Sequence, residues 1–228
     1  MIFIFSSCIN FGNSKKFDAF EHNSTNNSFC LSDGANSAPL SNLAAQLTCN
    51  ELTNKYISNK HEILNNYEQL NQLLIERYPN TACTSAHIQV ENRKILLSYC
   101  GDSLIEIYQI KHKGLPLFSK KSWMLYWQNK LDELETGIGP SQLLGSNAYS
   151  QAHIEILDIN YPSLILLSTD GLHRYTSIDQ RIYQISKLDH DIPSKFDLEF
   201  ICQSLAQSAA NAGSLDDISV AAIWCNYH

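Results

Sequence analysis

Hydrophobic positions in this chain recur at two spacings, and the change from one to the other outlines its elements. Met1–Ile9 and Lys16–Glu21 are β-prone, and the polar stretch His22–Ser28 makes a turn before Phe29-Cys30-Leu31. Ala35–Pro39 reads as a loop. Ser41-Asn42-Leu43 then opens a helical pattern with Leu43, Leu47, Leu52 and Tyr56 on one face. A second helix is predicted over about 60–77, where Ile63, Leu64, Tyr67, Leu70, Leu73 and Leu74 recur at three and four, and Pro79 ends it. Strands resume at Ala82–Glu91, where Ala86, Ile88 and Val90 alternate with polar residues. Asn92-Arg93 turns the chain into Lys94–Tyr99, and Ser103–Lys111 alternates again.

Residues 112–150 carry the weakest pattern: Trp123, Tyr126 and Trp127 suggest a helix, followed by a Gly137-Ile138-Gly139-Pro140 loop. Ala152–Leu157 and Ser163–Leu167 are predicted strands, 196–211 a helix (Leu198, Ile201, Leu205, Ala209), and Ile218–Trp224 the last strand. Strands, two helices, more strands and a final helix predict an α+β fold with mainly antiparallel sheets.

Composition narrows the function classes. A chain of 228 residues with 44% hydrophobic and 17% charged side chains suits a single domain, 1–228, with a substantial core. Its formal charge of -7 supplies no global field for nucleic acid or an anionic membrane. The seven cysteines are scattered without a CxxC spacing, and several lie in apolar runs. They read as small packed hydrophobes rather than a disulfide framework or zinc site. The apolar start Met1–Phe5 lacks a basic flank and reads as a first strand rather than a signal peptide. No apolar run approaches the roughly 20 residues of a membrane span. A reduced, cytoplasmic, soluble protein is expected.

The candidate chemistry lies in aspartates at strand edges: Ser32-Asp33-Gly34, Cys100-Gly101-Asp102-Ser103, Ser168-Thr169-Asp170-Gly171 and Leu215-Asp216-Asp217-Ile218. Three of these phrases follow an apolar run and the fourth precedes one. A single Asp-Gly is a common turn pair. Several carboxylates leaving the core at one edge would repel one another without a cation, and hard divalent ions prefer such oxygens.

In this order, and over nearly the whole chain, the phrases resemble the metal-dependent protein phosphatases of the PP2C type. Phe17-Asp18-Ala19-Phe20 resembles the family's early acidic motif and Ser32-Asp33-Gly34 its central Asp-Gly. Cys83-Thr84-Ser85-Ala86 is similar to its strand entry and Gly101-Asp102-Ser103 to its Gly-Asp-Ser turn. Ser168-Thr169-Asp170-Gly171-Leu172 resembles its Ser-Asp-Gly-Leu, and Asp216-Asp217-Ile218-Ser219-Val220 its closing Asp-Asn-Ile-Thr-Val. The resemblance implies a β-sandwich of two mainly antiparallel sheets flanked by helices, holding two Mn²⁺ or Mg²⁺ ions.

By that analogy Asp33 bridges both ions and the Gly34 carbonyl binds one. Asp170 and Asp216 ligate the other, and Asp18 holds metal-bound waters. Asp102 either bonds its own turn amides or serves a weak third ion. Asp217 is expected to face solvent beside an inward Asp216. The implied reaction is hydrolysis of phosphoserine or phosphothreonine in a phosphorylated protein by a hydroxide bridging the two ions. A cognate serine/threonine kinase would supply that substrate.

The chain also departs from the family pattern. Asn13 stands where the family has a phosphate-clamping arginine, and Lys15, on the same side of an extended strand, is the substitute. Phe17 precedes Asp18 where an acidic or amide residue is usual, and Ala35 follows Gly34 where many members have histidine. Arg174 takes the position where some members place an acid for the third ion, and is expected on the solvated surface. These departures support an alternative, a catalytically weak or inactive regulatory module on the same fold.

Overall fold

The computed structural model describes residues 2–11, 17–113, 120–134, 139–147, 149–188 and 192–227. The chain divides into two compact units, one of Met1–Gly12, Leu104–Asn129 and Ile159–His228, the other of Asn13–Ser103 and Lys130–Asp158.

The first unit contains strands β1 (Ile2–Phe11), β6 (Leu104–Lys113), β7 (Lys120–Gln128), β9 (Ser163–Ser168) and β10 (Ile218–Tyr227). They form one antiparallel sheet in the order β1-β10-β9-β6-β7. Its helices are α3 (Asp170–His173), α4 (Ile178–Ile185) and α5 (Lys195–Asn211). Ser177 and Ser194 start α4 and α5 with capping boxes, closed by Gln180 and Asp197. The expected helix at 196–211 is α5, whereas α4, with Ile178, Ile182 and Ile185 at spacings of four and three, was not predicted. The core joins Leu198, Ile201, Leu205 and Ala209 of α5 to Leu164, Leu166, Val220 and Trp224 of the sheet.

The helix expected around Trp123, Tyr126 and Trp127 is instead strand β7. It runs against β6 from Lys113↔Lys120 to Glu106↔Gln128, with a register shift at Ile107/Tyr108. Trp123 is buried and meets Trp224 edge-on, ring centroids 6.0 Å apart, while Met124 and Tyr126 are exposed. The run Trp123–Trp127 is apolar on both faces, so it carries no period by which to tell a strand from a helix.

The second unit holds β2 (Ala19–Asn23), β3 (Ser28–Ser32), β4 (Ser85–Glu91), β5 (Lys94–Cys100) and β8 (His153–Asp158), paired antiparallel in that order. Helices α1 (Ser41–Asn54) and α2 (Lys60–Arg77) pack in the same unit. Asn59 caps α2 by accepting from the Glu62 amide, and Ile63, Tyr67, Leu70 and Leu74 are its buried face. Asn92 and Arg93 both take positive φ, 45° and 69°, in a two-residue hairpin between Glu91 and Lys94.

The predicted face of α1 is corrected in part: Leu52 is buried and Leu47 packs half-buried against the core, but Leu43 and Tyr56 do not. Its buried residues are Ser41, Ala44, Ala45, Thr48, Cys49, Leu52 and Thr53, whereas Leu43 is exposed and Tyr56 lies beyond the helix, also exposed. Small side chains let the helix approach closely enough for the Cys49 thiol to donate to the Ala19 and Cys30 carbonyls, at 3.3 and 3.4 Å.

All seven cysteines are free, and all but Cys8 are buried. Among the described residues, no helix is long and apolar enough to cross a membrane.

Candidate metal centre

In the second unit one threonine ties the Asp33 corner to the Asp102-Ser103 turn, and the chain at Phe17-Asp18 bonds to Gly34. β3 ends at Ser32, whose hydroxyl donates to the Thr84 carbonyl at 2.6 Å. The Asp33 amide donates to Thr84 Oγ1 at 3.0 Å, and the Thr84 amide returns a bond to the Asp33 carbonyl at 2.8 Å. Thr84 Oγ1 also lies 2.5 Å from Ser103 Oγ. The Asp33 corner and the Asp102-Ser103 turn therefore share a partner that holds both backbones in place.

Gly34 follows, its amide donating to the Phe17 carbonyl at 3.3 Å, beside Asp18. A Cβ at Gly34 would stand 2.6 Å from the Ser41 carbonyl oxygen and 2.8 Å from that of Phe17. No side chain fits there, so glycine at this position is a packing necessity.

The Asp102 carboxylate lies in a buried residue, 3% exposed, next to Gly101, whose φ of +91° favours glycine. Asp132 fastens this turn. Its amide donates to the Gly101 carbonyl at 3.1 Å, and its Oδ2 accepts from the Gly101 amide at 3.1 Å and from Gln142 Nε2 at 2.6 Å. His153 Nε2 lies 2.7 Å from its Oδ1. Sequence reasoning missed Asp132, which sits in the stretch without periodicity.

The first unit brings Asp170 and the Asp216-Asp217 pair together. The Thr169 amide, just past β9, donates to the Ser219 carbonyl at 3.1 Å, and Thr169 Oγ1 accepts from the Ser219 amide at 3.1 Å. A Cβ on Gly171 would fall 2.1 Å from the Asp217 carbonyl oxygen, so only glycine lets α3 seat against the entry to β10. Asp216 is partly exposed, and its Oδ1 accepts from the Asp217 amide at 2.9 Å. Asp217 is buried, 4% exposed, which corrects the expectation that it faces solvent. Its carbonyl is packed under Gly171, and that contact draws the whole residue inward.

Arg174 is exposed, as expected, and also has a partner. Its Nε pairs with Asp170 Oδ2 at 3.5 Å, one helical turn away. Lys15, the proposed phosphate clamp, and Asn13 lie outside the described residues.

Aspartate carboxylates and the Gly34 carbonyl are hard oxygen donors, and their chemistry fits Mn²⁺ or Mg²⁺. Among the described residues, no group of three or more His, Cys, Asp or Glu side chains forms a ready-made metal cluster. Thiol chemistry is disfavoured at Cys83, which bridges to Gly34. Burial pushes its thiol up to about 11, so it carries no thiolate near neutral pH.

No family model matches the sequence, and no curated protein matches it. Solved structures do. The serine/threonine phosphatase of S. agalactiae matches with a TM-score of 0.73 at 17% identity, over 97% of this chain and 99% of that one. The phosphatase Stp1 of Staphylococcus aureus gives 0.74 at 16% identity, covering 99% and 96%. The catalytic domain of the serine/threonine protein phosphatase PstP, in complex with two manganese ions, gives 0.74 at 14% identity over 100% of both chains. Likeness at these identities establishes architecture: the chain has the α+β fold of the bacterial PP2C-type serine/threonine phosphatases.

Proposed function

We propose that residues 1–228 act as one metal-dependent phosphatase domain that removes phosphate from serine or threonine in proteins. The observation that carries this is the near-complete match to solved serine/threonine phosphatases, one of them holding two manganese ions. The ordered aspartate phrases support it independently. Asp33 and the Gly34 carbonyl, together with Asp170 and Asp216, are the donors for Mn²⁺ or Mg²⁺. Asp18 acts through water, and Asp102 holds a weaker third ion.

When bound, the cations offset the charge of the phosphate dianion and acidify a water for in-line attack on phosphorus. The chain's own groups supply the geometry. Thr84 ties the Asp33 corner to the Ser103 turn, Gly34 keeps its carbonyl clear of side chains, and Gly171 seats Asp170 beside Asp217. Lys15 offers a point charge to the phosphate. No protein nucleophile takes part. A phosphoprotein made by a serine/threonine kinase is the substrate, and free thiols fit a reducing cytoplasm.

Purified protein with Mn²⁺ should hydrolyse a phosphothreonine peptide and p-nitrophenyl phosphate, and chelation should abolish both activities. Asp170→Asn should lower kcat about a hundredfold or more. Turnover that survives chelation would overturn the proposal. So would a folded, metal-supplemented protein that hydrolyses neither substrate, an outcome that would leave the fold as a regulatory binding module.

A further inference from the structure

The fixed positive charge beside Asp170 has no part in the function proposed above. Arg174 closes α3, its amide donating to the Asp170 carbonyl at 3.2 Å while its guanidinium pairs with the Asp170 carboxylate at 3.5 Å. The pair is joined twice, once through the backbone and once through side chains, so the short helix holds the guanidinium close to the carboxylate. The two side chains are 31% and 20% exposed, so water screens the pair only in part.

The other arginine of this unit is committed elsewhere: Arg181 is buried against Glu106 at 2.8 Å and also bonds Thr176. Arg174 is the arginine paired with Asp170.

A divalent cation approaching Asp170 meets a carboxylate whose charge is already partly offset, and a +1 group within a few ångströms of its own position. Either the guanidinium leaves or the cation binds against its repulsion, and both cost binding free energy. We propose that Arg174 is a built-in counter-ion of Asp170, competing with the divalent cation and setting the metal affinity of that carboxylate. The proposal rests on Asp170 being a metal ligand. Through it the chain would tune its metal demand: Asp170 is neutralised at low metal and released to the ion at higher concentration. Guanidinium does not deprotonate where proteins are folded, so the competitor is always present.

Mn²⁺ titrated calorimetrically into full-length wild type, Arg174→Ala and Arg174→Lys at one pH and ionic strength tests this. Arg174→Ala should bind Mn²⁺ about fivefold tighter, and Arg174→Lys, which keeps the charge, should stay close to wild type. Addition of Mn²⁺ should raise Tm further in Arg174→Ala than in wild type, by mass action. Equal or weaker binding by a folded Arg174→Ala would overturn the proposal. Asp170→Asn in the same series separates the two levels. If it loses Mn²⁺ affinity while Arg174→Ala changes nothing, only the role of Arg174 fails. If Asp170→Asn binds Mn²⁺ as wild type does, the ligand assignment fails and the counter-ion role falls with it.

Discussion

The two sheets meet their helices with surfaces that differ in how many polar side chains they bury. In the first unit, Leu164, Leu166, Val220 and Trp224 face α5 in an apolar cluster that contains both Trp123 and Trp224. In the second unit the strands place Ser28, Cys30, Ser85, His87, Ser98 and Cys100 on the side nearest α1 and α2. There Tyr67 of α2 bonds Ser85 and Ser98 at 3.0 and 3.3 Å. The chain of bonds continues from Ser98 through His87 to Ser28, each step 2.8 Å. Gln89 adds a pair of bonds to the Ile57 backbone. Both units remove apolar area from water, the second through Leu52, Ile63, Leu70, Leu74 and Leu96, but the second must also satisfy polar groups buried in the same layer. A polar position in an alternating strand is thus no guide to solvent unless its partners are known.

The apolar unit has one large exception, and breaking it should give the largest effect. Arg181 and Glu106 are both buried and paired at 2.8 Å. Arg181→Met strands the Glu106 carboxylate without its counter-charge, and should cost about 3–5 kcal/mol in urea unfolding. Adding Glu106→Leu should return most of that loss, because a buried pair is worth little over well-packed apolar side chains. A cost below about 1 kcal/mol for Arg181→Met would mean the first unit tolerates buried charge, and the contrast between the two sheets would fail.

The polar unit should reveal itself through pH. Burial lowers the His87 pKa to about 3, from 6.5 in the open chain. Below about pH 6.5 the unfolded chain takes up a proton that the native ring refuses, so acid favours unfolding. Stability from this group is complete above pH 7 and falls by about 1.4 kcal/mol per unit as pH drops toward 3. At pH 5 the loss is about 2 kcal/mol. Denaturation of wild type and His87→Asn at pH 7 and pH 5 should show the shallower dependence in the variant. Parallel slopes would show that His87 is not held neutral by the fold.

The sequence made most of this legible where one period dominated. α2 and α5 were readable because their apolar positions repeat at a helical spacing, and the strands around the aspartate phrases because they are short apolar runs beside turn residues. Asp33 with Gly34, and Asp170 with Gly171, stood out only as members of an ordered set of strand-edge phrases, since a lone Asp-Gly is a common turn pair. The steric reason in each case, a backbone oxygen 2.6 or 2.1 Å from any Cβ, could not be read from the chain. β7 was missed because both of its faces are apolar, and α4 although Ile178, Ile182 and Ile185 recur at four and three. Asp132 and the Glu106–Arg181 pair depend on partners 31 and 75 residues away, which no local pattern records.

α1 provides the smallest expected effect and the finest test of how such patterns fail. Leu43, Leu47 and Leu52 suggested a leucine face, and on that pattern Leu43→Gln would empty a core position at a cost of about 2–5 kcal/mol. The helix instead turns Ala44, Ala45, Thr48 and Cys49 inward along with Leu52, and the Cys49 thiol meets two backbone carbonyls. Leu43 is 38% exposed. Leu43→Gln should therefore change stability by less than about 0.5 kcal/mol, while Ala45→Leu should lose about 1–3 kcal/mol by overpacking. The small residue is then the structural one and the large residue the expendable one, the reverse of what hydrophobicity alone ranks. Thermal unfolding of the two variants side by side checks this, and a larger loss for Leu43→Gln than for Ala45→Leu would restore the leucine face.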